Sequence, residues 1–149
     1  MTSTDGKGPI LAARDVVRVF RTGGANVYAV RGVDLDVARG EFLVILGRSG
    51  SGKTTLLNLL GGLDGPTSGS VLFEGQDLAK LSDGEMTQLR RSKLGFVFQS
   101  FGLLPLLSAY ENVELSLRLN GLPWKERRRR AEEALEQVGL RARAKHRPF

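Results

Sequence analysis

Residues 47–54 read Gly-Arg-Ser-Gly-Ser-Gly-Lys-Thr, and the segments on either side restrict the fold more than any other stretch of the chain. Phe42-Leu43-Val44-Ile45-Leu46 leads in as a continuous apolar run, which predicts a buried strand. Thr55-Leu56-Leu57-Asn58-Leu59-Leu60 follows, which predicts a helix. Buried strand, glycine turn and helix in that order belong to an α/β core. The glycines let the backbone wrap so that several N–H groups point inward, and the helix N-terminus adds partial positive charge at the same spot. Lys53 is spaced to reach the β- and γ-phosphates of a nucleotide, and the Thr54 hydroxyl to ligate Mg²⁺. Glycines between a strand and a helix can also be no more than a tight connection. The flanking order favours a phosphate-binding loop and a bound nucleoside triphosphate.

The 149 residues suffice for one domain with a core. Apolar residues at 41% and charged residues at 26% are ordinary for a globular protein. The absence of cysteine excludes disulfides and thiolate metal sites and fits a reducing compartment. Met1 to Gly8 has no apolar signal-peptide core, and no apolar run reaches the length of a bilayer-spanning helix. Net charge is +6, with visible clusters at Arg127–Arg130 and at Arg141, Arg143, Lys145 and Arg147. That balance could serve nucleic acid or an anionic membrane. However, Ala131, Ala134, Leu135 and Val138 form a helical stripe, and Glu126, Glu132, Glu133 and Glu136 intersperse the arginines. A solvated helix face is therefore expected, and no nucleic-acid partner.

Two strands are expected before the loop, over 10–20 and 27–37, the second alternating Val33, Leu35 and Val37 with Asp34 and Asp36. Residues 21–26 carry turn chemistry, so the two should pair as antiparallel strands. Beyond the first helix come a loop over 63–69, a short strand over 70–74 and a turn at Gly75-Gln76-Asp77. Ser82-Asp83-Gly84-Glu85 and Ser108-Ala109-Tyr110-Glu111 have capping-box spacing and should open helices to about Arg91 and Leu119. Leu94-Gly95-Phe96-Val97-Phe98 reads as a compact apolar strand. Pro123 suits the first turn of a last helix and Gly139 its C-terminal cap.

These segments together resemble the ATP-binding subunit of an ABC transporter, in wording nearest the group for macrolide export and lipoprotein release. The resemblance rests on the Walker A loop Gly47–Thr54, on Leu63-Asp64-Gly65-Pro66-Thr67-Ser68-Gly69, on Leu94–Gln99, and on Leu103-Leu104-Pro105 with Glu111-Asn112-Val113. It runs from about Ile10 to Pro148. It implies an α/β phosphate-loop core of the ABC type with an N-terminal antiparallel β subdomain, part of a helical subdomain and an incomplete sheet. The implied layout is a flexible tail over 1–9, β subdomain and core over 10–100, and helical subdomain over 101–149. Gly47, Arg48, Ser49, Gly50, Ser51, Gly52, Lys53, Thr54 and Thr55 would hold the phosphates of ATP. Phe20 matches the aromatic residue that stacks on adenine, although it could instead point into the core. Tyr28 is a rival aromatic, with packing the expected role. Gln99 matches the Q-loop glutamine, whose carbonyl can face Mg²⁺ or the attacking water; with Lys53 it is the catalytic candidate and with Thr54 the metal ligand.

By the same resemblance, the partners are a transmembrane permease subunit and a second ATP-binding subunit, at the cytoplasmic face of the membrane. Phe101–Leu107 and the helix from Ser108 would dock the permease, or serve as subdomain core. The chain contains no LSGGQ signature, no Walker B Asp-Glu pair and no D-loop. Its one histidine, His146, is out of place for the switch role. The expectation is thus a portion of a longer gene product, in which hydrolysis by the isolated chain is doubtful. A non-hydrolytic ATP-binding module and another phosphate-loop enzyme are the alternative readings.

Overall fold

A computed structural model describes residues 8–148. The tail expected over 1–9 lies, as far as residue 7, outside the described residues. β1 (Leu11–Thr22) and β2 (Ala25–Val37) form a long antiparallel hairpin, paired from Leu11↔Val37 to Thr22↔Ala25 with register shifts between Ala13 and Val16, Val16 and Arg18, and Arg18 and Val19. The expected six-residue turn shrinks to Gly23 and Gly24, both at positive φ (56° and 83°), as a two-residue primed turn requires. β3 (Ser68–Phe73) pairs with the other edge of β1, and β4 (Gln76–Asp77) pairs with β3. Every pairing in this four-stranded sheet, ordered β2-β1-β3-β4, is antiparallel. Gln76 and Asp77, expected in a turn, lie instead in that short edge strand.

α1 (Lys53–Leu60) buries Leu59 and Leu60 against Ala13, Val16, Val30, Val71, Phe73 and Leu78. Full burial of one such leucine contributes about 1.5–3 kcal/mol. α2 (Asp83–Ser92) opens on the capping box predicted for Ser82 and Glu85. The Glu85 carboxylate accepts from the Ser82 N–H at 2.8 Å, and Ser82 Oγ accepts from the Glu85 N–H at 3.4 Å. The chain divides into two compact units on either side of the Leu94–Gly95 bond.

In the second unit, α3 (Ala109–Leu119) and α4 (Trp124–Gln137) pack together, with Ala131 and Leu135 buried. Ser108 and Glu111 form the other predicted box. Pro123 takes the N-cap position, one residue before the first turn in which it was expected. The Arg127 guanidinium bonds the Glu114 carboxylate between the two helices. Arg128, Arg129 and Arg130 pair along α4 with Glu132, Glu126 and Glu133 at 2.7–2.9 Å, which is the solvated face the spacing implied. Val138, placed on the apolar stripe by its spacing, is exposed beyond the end of α4.

Two expected strands are absent. Neither Phe42–Leu46 nor Leu94–Phe98 forms a strand. Phe42 is 90% exposed and Val97 fully so, while Ile45 and Leu94 alone of these runs pack on the core. A strand exists only through a ladder partner. Among the described residues the sheet offers no parallel neighbour for either run.

Candidate phosphate-binding site

The loop 47–52 delivers the chain to α1 through Gly50 (φ 77°) and Gly52 (φ 89°), the latter capping the helix. The Leu56 N–H donates to Gly52 O at 2.8 Å, starting the helical ladder. The N–H groups before it point out of the helix start, where no acidic residue occupies the first turn of α1. Lys53 is half-buried, and its ammonium donates to Gly47 O at 2.8 Å and Arg48 O at 2.7 Å, so the charge lies at the mouth of the loop. Gly47, Arg48, Ser49, Gly50, Ser51 and Thr54 are exposed, and Thr55 is half-buried beside them. Every residue of the predicted loop is therefore gathered at one positive, donor-rich turn.

β2 braces this loop from behind. A Cβ on Gly52 would stand 2.0 Å from Ala29 O. A cavity of about 370 Å³ lies here, with Tyr28, Arg31, Leu46 and Gly50–Lys53 in its wall. Tyr28 is half exposed, with the Arg31 guanidinium 5.5 Å from its ring, so the packing role expected of it is not what the structure gives. Phe20 is 39% exposed rather than buried in the core. Consecutive cross-strand pairs alternate between faces, so Val19↔Tyr28 and Phe20↔Val27 put the two aromatics on opposite sides of the hairpin. They cannot stack on the same face of one base. Phe20 is not among the residues lining the cavity beside Lys53.

Gln99 belongs to the second unit, exposed in a turn that the Phe101 N–H closes onto Phe98 O at 3.2 Å. Phe101 itself sits at φ 61°, unusual for a bulky residue. The apolar stretch that follows is tied to α3 by Asn112. Its Oδ1 accepts from the Leu104 N–H at 2.8 Å, and its Nδ2 faces Leu107 O and Ser108 O, each at 3.0 Å. At the loop itself Thr54 carries a neutral oxygen, the hard donor class that Mg²⁺ takes alongside phosphate oxygens and water. Among the described residues no cluster of histidine and carboxylate side chains forms a cage of its own.

The profile of the ABC transporter family matches residues 30–148. The chain belongs to that family. An uncharacterized ABC transporter ATP-binding protein of Thermotoga maritima is 52% identical over 134 residues, covering 90% of this chain and 57% of that protein. The macrolide export ATP-binding/permease protein MacB of Azoarcus sp. is 45% identical over 147 residues, covering 99% of this chain and 22% of that one. Among solved structures, the dimeric ABC transporter cassette MJ0796 aligns with a TM-score of 0.86 at 43% identity, over 93% of this chain and 61% of that one. A second structure of that cassette is a post-hydrolysis state bound to ADP and Pi. The chain thus spans less than two thirds of the length of each of these ABC relatives. The ABC family match begins at Val30 within β2, so it contains the loop and Gln99, while Phe20 precedes it. Arg18 and Asp64, unassigned by the sequence reading, meet beside Phe20. Arg18 stands two residues before Phe20 on a strand, and that spacing could have signalled a shared face.

Proposed function

We propose that this chain binds Mg-ATP at Gly47–Thr54 as part of an ATP-driven transport motor. The observation that carries the reading is the Lys53 ammonium at the mouth of a glycine loop whose last residue caps α1. Lys53 and the loop N–H groups would neutralise the β- and γ-phosphates, Thr54 and Gln99 would offer oxygens to Mg²⁺, and Phe20 would stack on the base. Bound Mg²⁺ supplies charge neutralisation between the phosphates. In a complete motor, a permease subunit and a second ATP-binding subunit would be the partners, and the assembly would work at the inner face of the membrane. Among the described residues no helix is long and apolar enough to cross a membrane. Substrate choice would belong to the permease.

The test is a calorimetric titration with Mg-ATP. Lys53→Ala should abolish tight binding, because it removes the one charged side chain that, among the described residues, donates into the loop. Gln99→Ala should leave binding largely intact. Parent-like affinity in Lys53→Ala would overturn the assignment.

A further inference from the structure

We infer that Arg18 is a positioning residue for the base of the nucleotide, an inference that rests on Phe20 being the base platform. The Arg18 guanidinium carbon lies 4.8 Å from the centre of the Phe20 ring, so a cation covers one face of that ring. The same guanidinium donates from Nη2 to Asp64 Oδ1 at 2.7 Å, with both side chains largely shielded from solvent. Asp64 is fixed in turn, because its Oδ1 also accepts from the Gly65 N–H at 2.8 Å. Arg18 Nε is closed off from solvent and, among the described residues, has no hydrogen-bond partner. A guanidinium free to choose its pose would not leave that donor unmet, so the Asp64 pair and the aromatic ring hold it there.

The wider setting gives the contact its purpose. Asn58 O, near the end of α1, accepts from the Leu63 N–H at 2.8 Å and the Asp64 N–H at 3.3 Å. Thr67 is stitched to β1 on both sides of Arg18: its N–H donates to Val17 O at 2.7 Å, and its Oγ1 accepts from the Val19 N–H at 2.9 Å. A continuous path therefore runs from Lys53 along α1 to Asp64, across to Arg18 and onto Phe20. It fixes how far the ring stands from the phosphate loop. The guanidinium occupies one ring face and draws on its π density, and the opposite face is left for a purine.

The test compares binding of Mg-ATP with binding of Mg-tripolyphosphate, which engages the phosphate loop and has no base. Arg18→Gln should weaken Mg-ATP binding about three- to tenfold and leave tripolyphosphate affinity at the parent value. Arg18→Lys, which keeps the cation, should recover part of the loss. In a Phe20→Leu background, Arg18→Gln should have no further effect. Equal weakening of both ligands would mean that Arg18 only supports the fold, and would overturn the inference. So would parent-like ATP binding by Arg18→Gln while Phe20→Leu weakens it. If Phe20→Leu itself binds ATP as the parent does, the platform reading fails, and the inference with it.

Discussion

Gly52→Ala probes the brace between β2 and the phosphate loop. At φ 89° an alanine carries the left-handed penalty of about 1–2 kcal/mol. Its Cβ would also stand 2.0 Å from Ala29 O, where an ordinary contact begins at about 3.5 Å, so one of the two backbones must withdraw by more than an ångström. Neither is free to do so. Ala29 lies within β2 between the paired Tyr28 and Val30, and Gly52 O accepts the first hydrogen bond of α1. Forced overpacking adds about 1–3 kcal/mol. Together these remove about 2–5 kcal/mol, a large share of a stability that is typically about 5–15 kcal/mol.

Gly50→Ala is the internal control, since Gly50 has nearly the same conformation (φ 77°) and open space where its Cβ would be. It should show the backbone penalty alone. Urea unfolding of both variants reads the difference as a shift in midpoint at constant slope. Mg-ATP titration should show Gly52→Ala the weaker binder, because the loop must move away from β2 to admit the methyl group. Equal midpoints for the two alanine variants would refute the claim that Ala29 O braces the loop.

Three further outcomes follow from local geometry. Ser108→Ala should cost about 1 kcal/mol in urea unfolding, because it removes the oxygen that accepts from the Glu111 N–H at the start of α3. Asn112→Ala should speed amide exchange at Leu104, whose N–H loses its acceptor, while the middle of α4 exchanges as before. Hydrogen bonds from Arg129, then Arg130, hold the Glu126 carboxyl down at about 2 against an ordinary 4.5. A depressed carboxyl stabilises the fold fully above the unfolded value and loses that contribution as pH falls through the folded one. The stability gap between parent and Glu126→Gln should thus persist at neutral pH and close between pH 4.5 and about 2 in an acid titration followed by circular dichroism. A gap that does not change with pH would refute it.

What could be read from the sequence was what neighbouring residues decide among themselves. Both capping boxes are contacts over three residues, and the alternation of Val33, Leu35 and Val37 needs only a hairpin partner close in the chain. The phosphate loop is equally local, since its glycines, its lysine and the start of α1 lie within eight residues. Arg18 and Asp64 are 46 residues apart, and no periodicity links them. The runs 42–46 and 94–98 mislead for a related reason. Apolar β-rich composition states that a segment would be buried in a parallel sheet, whereas the ladder depends on a second segment.

That failure bears on the site. Phe42–Leu46 leads directly into the loop, yet it has no sheet neighbour to hold it among the described residues. The loop must then be held from its other sides: by Ala29 against Gly52, and by Leu59 and Leu60 in the core. Both supports reach the antiparallel sheet, the second of them through α1. In this chain, therefore, the hairpin that carries Phe20 also holds the phosphate loop in place. Loss of the β1–β2 pairing around Val30 should weaken phosphate binding as well as base binding, whereas substitution of the exposed Phe42 should leave both nearly unchanged.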